Sequence, residues 1–203
     1  MLLKIYPENT NPKAVEQAVE VLRNGGVIIY PTDTVYAFGC DIFQARAVEK
    51  ICRFRNLDPS KAHLSIVCPD MSRLSEFAKV DNNTFKLMKR LLPGPFTFIL
   101  KRSNKLPKLF KERSEVGIRV PDNNITIELV KALGNPILSA SLRDDDDDVL
   151  EYLTDPELMS EKYCNEVDMV IDGGFGSIKP STIIDCTGNE PEIVRQGKGK
   201  VEL

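Results

Sequence analysis

Eight residues scattered along the chain are of the types that hold a small anion. They are Thr32 and Thr34 in YPTDTVY, Arg119 in VGIRVP, Ser139 and Ser141 in ILSAS, Ser181 and Thr182 in PSTII, and Arg195 in EIVR. A guanidinium presents a planar fork of donors that matches a carboxylate or phosphate, and hydroxyls add single bonds beside it. Each residue ends or opens an apolar run rich in Val, Ile and Leu, so each reads as a strand-end residue. Taken singly, each is equally well read as an ordinary cap or turn, Pro31-Thr32-Asp33 included. Taken together they predict an anion-binding cavity assembled from several strand ends.

Other chemistries have less to work with. The only histidine is His63, and the five cysteines, Cys40, Cys52, Cys68, Cys164 and Cys186, sit mostly in apolar contexts with no CxxC. That pattern argues for reduced thiols and against a zinc site, and no metal ligand set is expected. A Cys–His nucleophilic pair would require His63, and nothing nearby marks a thiolate-stabilising environment.

The elements that must position these residues follow from periodicity. The 203 residues, 42% hydrophobic and 28% charged, are enough for one well-buried core, so a single domain over 1–203 is expected. Asn11-Pro12 opens a helix whose apolar residues Ala14, Val15, Ala18, Val19 and Leu22 recur until Gly25-Gly26. A short strand, 27–30, then leads into the Pro-Thr-Asp-Thr turn, after which Tyr36 and Phe38 return to the core. Helices are predicted over 45–55, 81–92, 125–133 and 156–163. Strands are predicted over 2–6, 64–68, 96–101, 116–120, 136–141, 167–171, 181–186 and 192–195. Strands and helices interleave throughout, which predicts an α/β sheet with helices packed on it.

Charge is unevenly spread. Residues 1–49, 50–113 and 114–203 carry net charges of −2, +10 and −11. The middle segment, with Arg53, Arg55, Lys61, Lys86, Lys89, Arg90, Lys101, Arg102, Lys105, Lys108, Lys111 and Arg113, either forms one face for phosphate or nucleic acid or is dispersed against the acidic third by folding. No apolar run approaches the roughly 18 residues of a membrane span, and MLLKIYPENT lacks the apolar core and cleavage site of a signal peptide. A cytoplasmic protein without membrane association is expected.

The ordered stretches GGVIIYPTDTVYAFG, LLPGPFTFIL, VGIRVP, ILSAS, VIDGG and PSTIIDCT resemble the YrdC-like domain family over about Gly25 to Arg195. The resemblance implies a twisted mixed sheet with packed helices around a large, positively charged concave cavity. It also implies threonylcarbamoyl-AMP synthase activity, in which threonine, bicarbonate and ATP, with Mg²⁺, give threonylcarbamoyl-AMP and pyrophosphate for tRNA modification at adenosine 37. Members are also described as binding double-stranded RNA. By motif position, Thr32, Arg119 and Ser139 would hold the threonine. Arg55, Lys61, Ser141, Ser181, Thr182 and Arg195 would hold the nucleotide, with Arg55 and Arg119 as the principal cations. From the length, no second domain of the kind found in two-domain synthases is expected.

Two motifs depart from the synthase pattern. Where it has Lys-x-Arg, this chain has Arg55-Asn56-Leu57, and where it has Ser-x-Asn, this chain has Ser141-Leu142-Arg143. Leucine removes a phosphate ligand outright, although Arg53, one helical turn before Leu57, is placed to substitute. These departures resemble the YciO branch of the family. The run Asp144 to Asp148 beside the second motif is either a solvated acidic loop or a cation-mediated contact. The expected function is therefore a synthase of weak or altered activity, or a binding factor for double-stranded RNA, tRNA or a nucleotide in translation or ribosome maturation. A third reading is a protein that acts only through protein partners.

Overall fold

The computed structural model describes residues 1–56, 64–107, 110, 113–142 and 151–202, with Glu151 described by its backbone alone. Leu57, Lys61, His63, Lys108, Lys111, Arg143 and the run Asp144 to Asp148 lie outside the described residues.

Strand β1 (Leu2–Lys4) is followed by α1 (Pro12–Arg23), which starts where Asn11 accepts a hydrogen bond from the Lys13 amide at 3.0 Å with proline at its first position. Strands β2 (Ile28–Tyr30) and β3 (Ala37–Asp41) flank the polar turn, and α2 (Ala45–Phe54) follows. Next come β4 (Ser65–Val67), the single turn α3 (Leu74–Phe77), β5 (Ala78–Lys79) and α4 (Asn82–Leu91). The Asp81 carboxylate caps α4 by accepting from the amides of Asn83 and Thr84 at 2.9 and 2.8 Å. Strands β6 (Phe96–Arg102) and β7 (Glu115–Arg119) precede α5 (Asn124–Leu133), capped by Asn123 at one end and by left-handed Gly134 at the other. The chain closes with β8 (Ile137–Ser141), α6 (Glu151–Thr154), α7 (Pro156–Lys162), β9 (Met169–Asp172), β10 (Thr182–Asp185) and β11 (Glu192–Arg195).

Among the described residues the strands form one mixed sheet in the order β1-β9-β2-β3-β8-β4-β7-β6-β10-β11, with β5 paired to β6. The register sorts residues by face, because paired residues in neighbouring strands point the same way and successive residues alternate. One row, Cys40, Leu138, Ile66, Ile118, Phe98 and Ile184, crosses six strands without interruption. All six side chains are buried in the larger core, together with Ala47, Val48 and Ile51 of α2, Met88 of α4 and Met159 of α7. On the other face a second core joins Ile28, Tyr30, Ala37, Ile137 and Val67 to the apolar sides of α1 and α5.

Beyond that second core the same face turns polar. The row next to Cys40–Ile184 reads Gly39, Ser139, Ser65, Gly117, and Thr97 and Arg119 lie one pleat further on. This small-residue, hydroxyl-bearing floor carries the candidate site. Among the described residues no helix is long and apolar enough to cross a membrane.

Candidate functional site

The turn after β2 is held by its own side chains. Thr32 Oγ1 donates to the Val35 carbonyl at 2.8 Å and accepts from the Thr34 amide at 3.0 Å. With the Thr32 proton so placed, the 3.0 Å contact between the two hydroxyls has Thr34 as donor. Thr126 Oγ1, near the start of α5, donates to the Pro31 carbonyl at 2.6 Å and fixes the turn from outside. Tyr36, which follows it, accepts from the Gly173 amide at 3.1 Å and donates to the Gly174 carbonyl at 2.7 Å. A Cβ on Gly173 would lie 2.8 Å from Pro31, so the VIDGG turn packs directly against the Thr-Asp-Thr turn.

Arg119, last residue of β7, meets this turn. Its Nη2 donates to Asp33 Oδ1 at 2.8 Å and to Thr34 Oγ1 at 2.9 Å. Both side chains of this ion pair are buried, 7% and 6% exposed, and the second Asp33 oxygen accepts from the Asp122 amide at 3.1 Å. Arg119 Nε is buried and has no hydrogen-bond partner. A buried guanidinium held by one corner, with a donor left over, is what a planar anion completes.

Tyr30 stands next to this arrangement. Its ring crosses Gly39, where a Cβ would come within 2.5 Å, and its buried hydroxyl lies beside Ser139 without completing a hydrogen bond to it. Burial pushes the Tyr30 pKa up to about 12, against opposing pulls from Ser139 and Arg119, so the group stays a neutral donor. Burial likewise pushes the Cys68 thiol up to about 12 and Cys40 well above its ordinary value, which makes both poor nucleophiles.

At the other end of the floor, Ser181 Oγ and Thr97 Oγ1 lie 2.8 Å apart. Arg195 donates from Nη2 and Nε to the Ser181 carbonyl at 2.9 and 3.3 Å. Thr182 is separated from Ser181 by the strand alternation. It shares a face with Ile184, and its buried hydroxyl donates to the Gly199 carbonyl at 2.5 Å and accepts from the Gly197 amide at 2.9 Å. The C-terminal segment so anchored sends Lys198 back to the turn, where Nζ donates to the Asp33 carbonyl at 2.6 Å.

Of the residues singled out in the sequence, Thr32, Thr34 and Arg119 are brought into one network, Ser139 adjoins it through Tyr30, and Ser181 and Arg195 are in direct contact. Ser141 ends β8 on the same face as Ser139, exposed, and Arg55 is the C-cap of α2. Arg53 is exposed in the last turn of α2. Lys61 lies outside the described residues. Sequence reasoning did not single out Asp33 as a partner of Arg119, nor Tyr30, Ser65, Thr97 or Lys198. Alternation within FTFIL could have placed Thr97 on a face with Ile99, but nothing in RQGKGK points to Asp33.

The chain is 44% identical to the Escherichia coli K12 protein YciO over 200 residues, covering 98% of this chain and 96% of that one. It is 30% identical to a putative threonylcarbamoyl-AMP synthase of Methanocaldococcus jannaschii over 199 residues, 97% of this chain and 92% of that protein. The crystal structure of E. coli YciO superposes with a TM-score of 0.91 at 42% identity, over 100% of this chain and 98% of that one. The Pyrococcus abyssi Sua5 structure complexed with L-threonine superposes with a TM-score of 0.86 at 26% identity, over 97% of this chain and 57% of that one. Residues 20–197 match the Sua5/yciO/yrdC family, described as telomere recombination. With that match spanning most of the sequence, the chain belongs to the Sua5/YciO/YrdC family.

Proposed function

We propose that the protein is a threonylcarbamoyl-AMP synthase-like nucleotidyltransferase of reduced turnover, taking L-threonine at the Arg119 end of the polar floor and ATP at the Arg195 end. The observation that carries this reading is Arg119, a buried guanidinium fixed through Nη2 by Asp33 and Thr34 while Nε stays unpartnered. An amino-acid carboxylate supplies the planar acceptor such a donor lacks. The putative M. jannaschii threonylcarbamoyl-AMP synthase, 30% identical, and the L-threonine complex of Sua5 support the assignment.

In the proposed reaction the threonine amine attacks the carbon of bicarbonate and water leaves, giving a carbamate. A carbamate oxygen then attacks the α-phosphorus of ATP, the bond to the bridging oxygen breaks, and pyrophosphate departs. Mg²⁺ arrives as part of the MgATP substrate. The chain's contribution is positioning and charge: Arg119 and the Thr32–Thr34 turn orient the amino acid, and Ser181 with Arg195 binds the nucleotide. Arg55, Ser139 and Ser141 are further lining residues that the family resemblance implies, and Lys61 is a candidate by motif position alone. Leu57 offers no donor where synthases carry an arginine, which is the reason for reduced turnover.

Calorimetric titration of L-threonine tests the reading. The wild type is expected to bind, and a double variant, Asp33→Asn with Arg119→Gln, to lose about 100-fold in affinity, the worth of one to two charge-assisted bonds. Equal affinities in the two proteins would contradict the assignment.

A second reading rests on a separate observation. Lys79 and Lys101 stand directly opposite each other in the β5–β6 pair, and Lys86, Lys89 and Arg90 are exposed on the helix that follows. Glu115 faces Lys101 from β7 and offsets part of this charge, and the exposed cations that remain support double-stranded RNA as an additional ligand. Affinity that falls steeply with salt supports this reading, and salt-insensitive binding counts against it.

A further inference from the structure

We infer that Lys198 is an anion-binding residue of this site, contacting the phosphate of a bound nucleotide at the point where the two substrates meet. The inference rests on the amino-acid-and-nucleotide reading above and adds a residue to it.

Charge is the first reason. The buried Arg119–Asp33 pair is neutral as a unit, so it can hold a threonine carboxylate through directed hydrogen bonds but adds no net charge for a polyphosphate. Lys198 Nζ sits 2.6 Å from the Asp33 carbonyl and restores a net positive charge to the turn. Its separation from the guanidinium is at most about 11 Å, two hydrogen-bond lengths plus the span of one residue. An ammonium carries three donors, and the bond to Asp33 uses one of them.

The mounting is the second reason. Lys198 itself is exposed, but its backbone is fixed on both sides. Its amide donates to the Pro180 carbonyl at 2.8 Å, while the Gly197 amide and the Gly199 carbonyl are both bound to Thr182 Oγ1. A Cβ at Gly197 would lie 2.3 Å from the Pro180 carbonyl oxygen, and one at Gly199 would lie 2.5 Å from the Phe96 ring. Glycine on either side lets the segment press against β6 and β10, so a long cation is presented from a rigid base. The location is the third reason. Lys198 follows Arg195 by three residues, on the nucleotide side, yet its ammonium ends on the Thr32–Thr34 turn, on the amino-acid side. It bridges the two halves of the floor.

The test uses Lys198→Ala and Lys198→Arg, titrated with the Mg²⁺ complex of α,β-methylene ATP and separately with L-threonine, with thermal unfolding of each variant. Lys198→Ala is expected to weaken nucleotide binding about tenfold and Lys198→Arg to restore most of it, threonine affinity holding within about twofold, as for the loss of one charged contact. Wild-type nucleotide affinity in Lys198→Ala overturns the inference and leaves the site reading standing. Equal loss of both ligands together with a lowered unfolding temperature, unrescued by arginine, also overturns it, because Lys198 would then only tie down the C-terminal segment. A wild type that binds neither ligand overturns both.

Discussion

At the scale of single residues, the Arg119–Asp33 pair has the largest consequences. Removing either partner strands a buried charge, at a cost of about 3–5 kcal/mol. Arg119→Gln and Asp33→Asn are each expected to lower stability in urea by that order, and the double variant by clearly less than their sum. Strict additivity would mean the two are not coupled. Tyr30 supports a prediction about pH. Its folded pKa, about 12, lies above the ~10 of an unfolded tyrosine, so the folded chain holds this proton more tightly. Stability present below pH ~10 is therefore lost as the pH rises toward 12, by roughly 3 kcal/mol at most for this one group. Tyr30→Phe is expected to change stability little at pH 8, since the hydroxyl has no hydrogen-bond partner. It is expected to unfold later than the wild type in an alkaline titration followed by circular dichroism. Identical alkaline profiles would contradict the assignment of this proton.

At the scale of elements, two glycines separate packing from backbone strain. Gly39 lies under the Tyr30 ring, where a Cβ would come within 2.5 Å, whereas Gly134 has φ +77° and open space around it. Gly39→Ala is expected to cost about 1–3 kcal/mol by overpacking, and Gly134→Ala about 1 kcal/mol by forcing a left-handed alanine. A Gly39→Ala protein as stable as the wild type would show that the Tyr30 ring is free to move. The elements themselves were largely legible in the sequence. Asn11, Asp81 and the Gly134 C-cap announce α1, α4 and α5 through short-range chemistry, and the apolar runs announce most strands. Strand β3 shows in the sequence only as Tyr36 and Phe38 returning to the core, because Gly39 and Asp41 interrupt its alternation. The single turn α3 and the two-residue β5 are too short to carry a period.

At the scale of the whole molecule, one sheet has two unlike faces. Its uninterrupted apolar row makes the larger core, and its small and hydroxyl-bearing rows make the site floor. The residue types of the candidate site were legible, since threonines, serines and arginines at strand ends are the types an anion site would need. Its pairings were not. Asp33 with Arg119, and Lys198 with Asp33, join positions 86 and 165 residues apart, and only the order in which strands assemble brings them together. The same assembly puts Thr182 on the face opposite Ser181. Pyrophosphate release by the purified protein with MgATP and bicarbonate, with and without L-threonine, decides whether this site activates the amino acid. Slow release is expected that requires threonine and is lost in the Asp33→Asn, Arg119→Gln protein. Release that is the same without threonine, or none at all under conditions where both ligands bind, would contradict the proposed function.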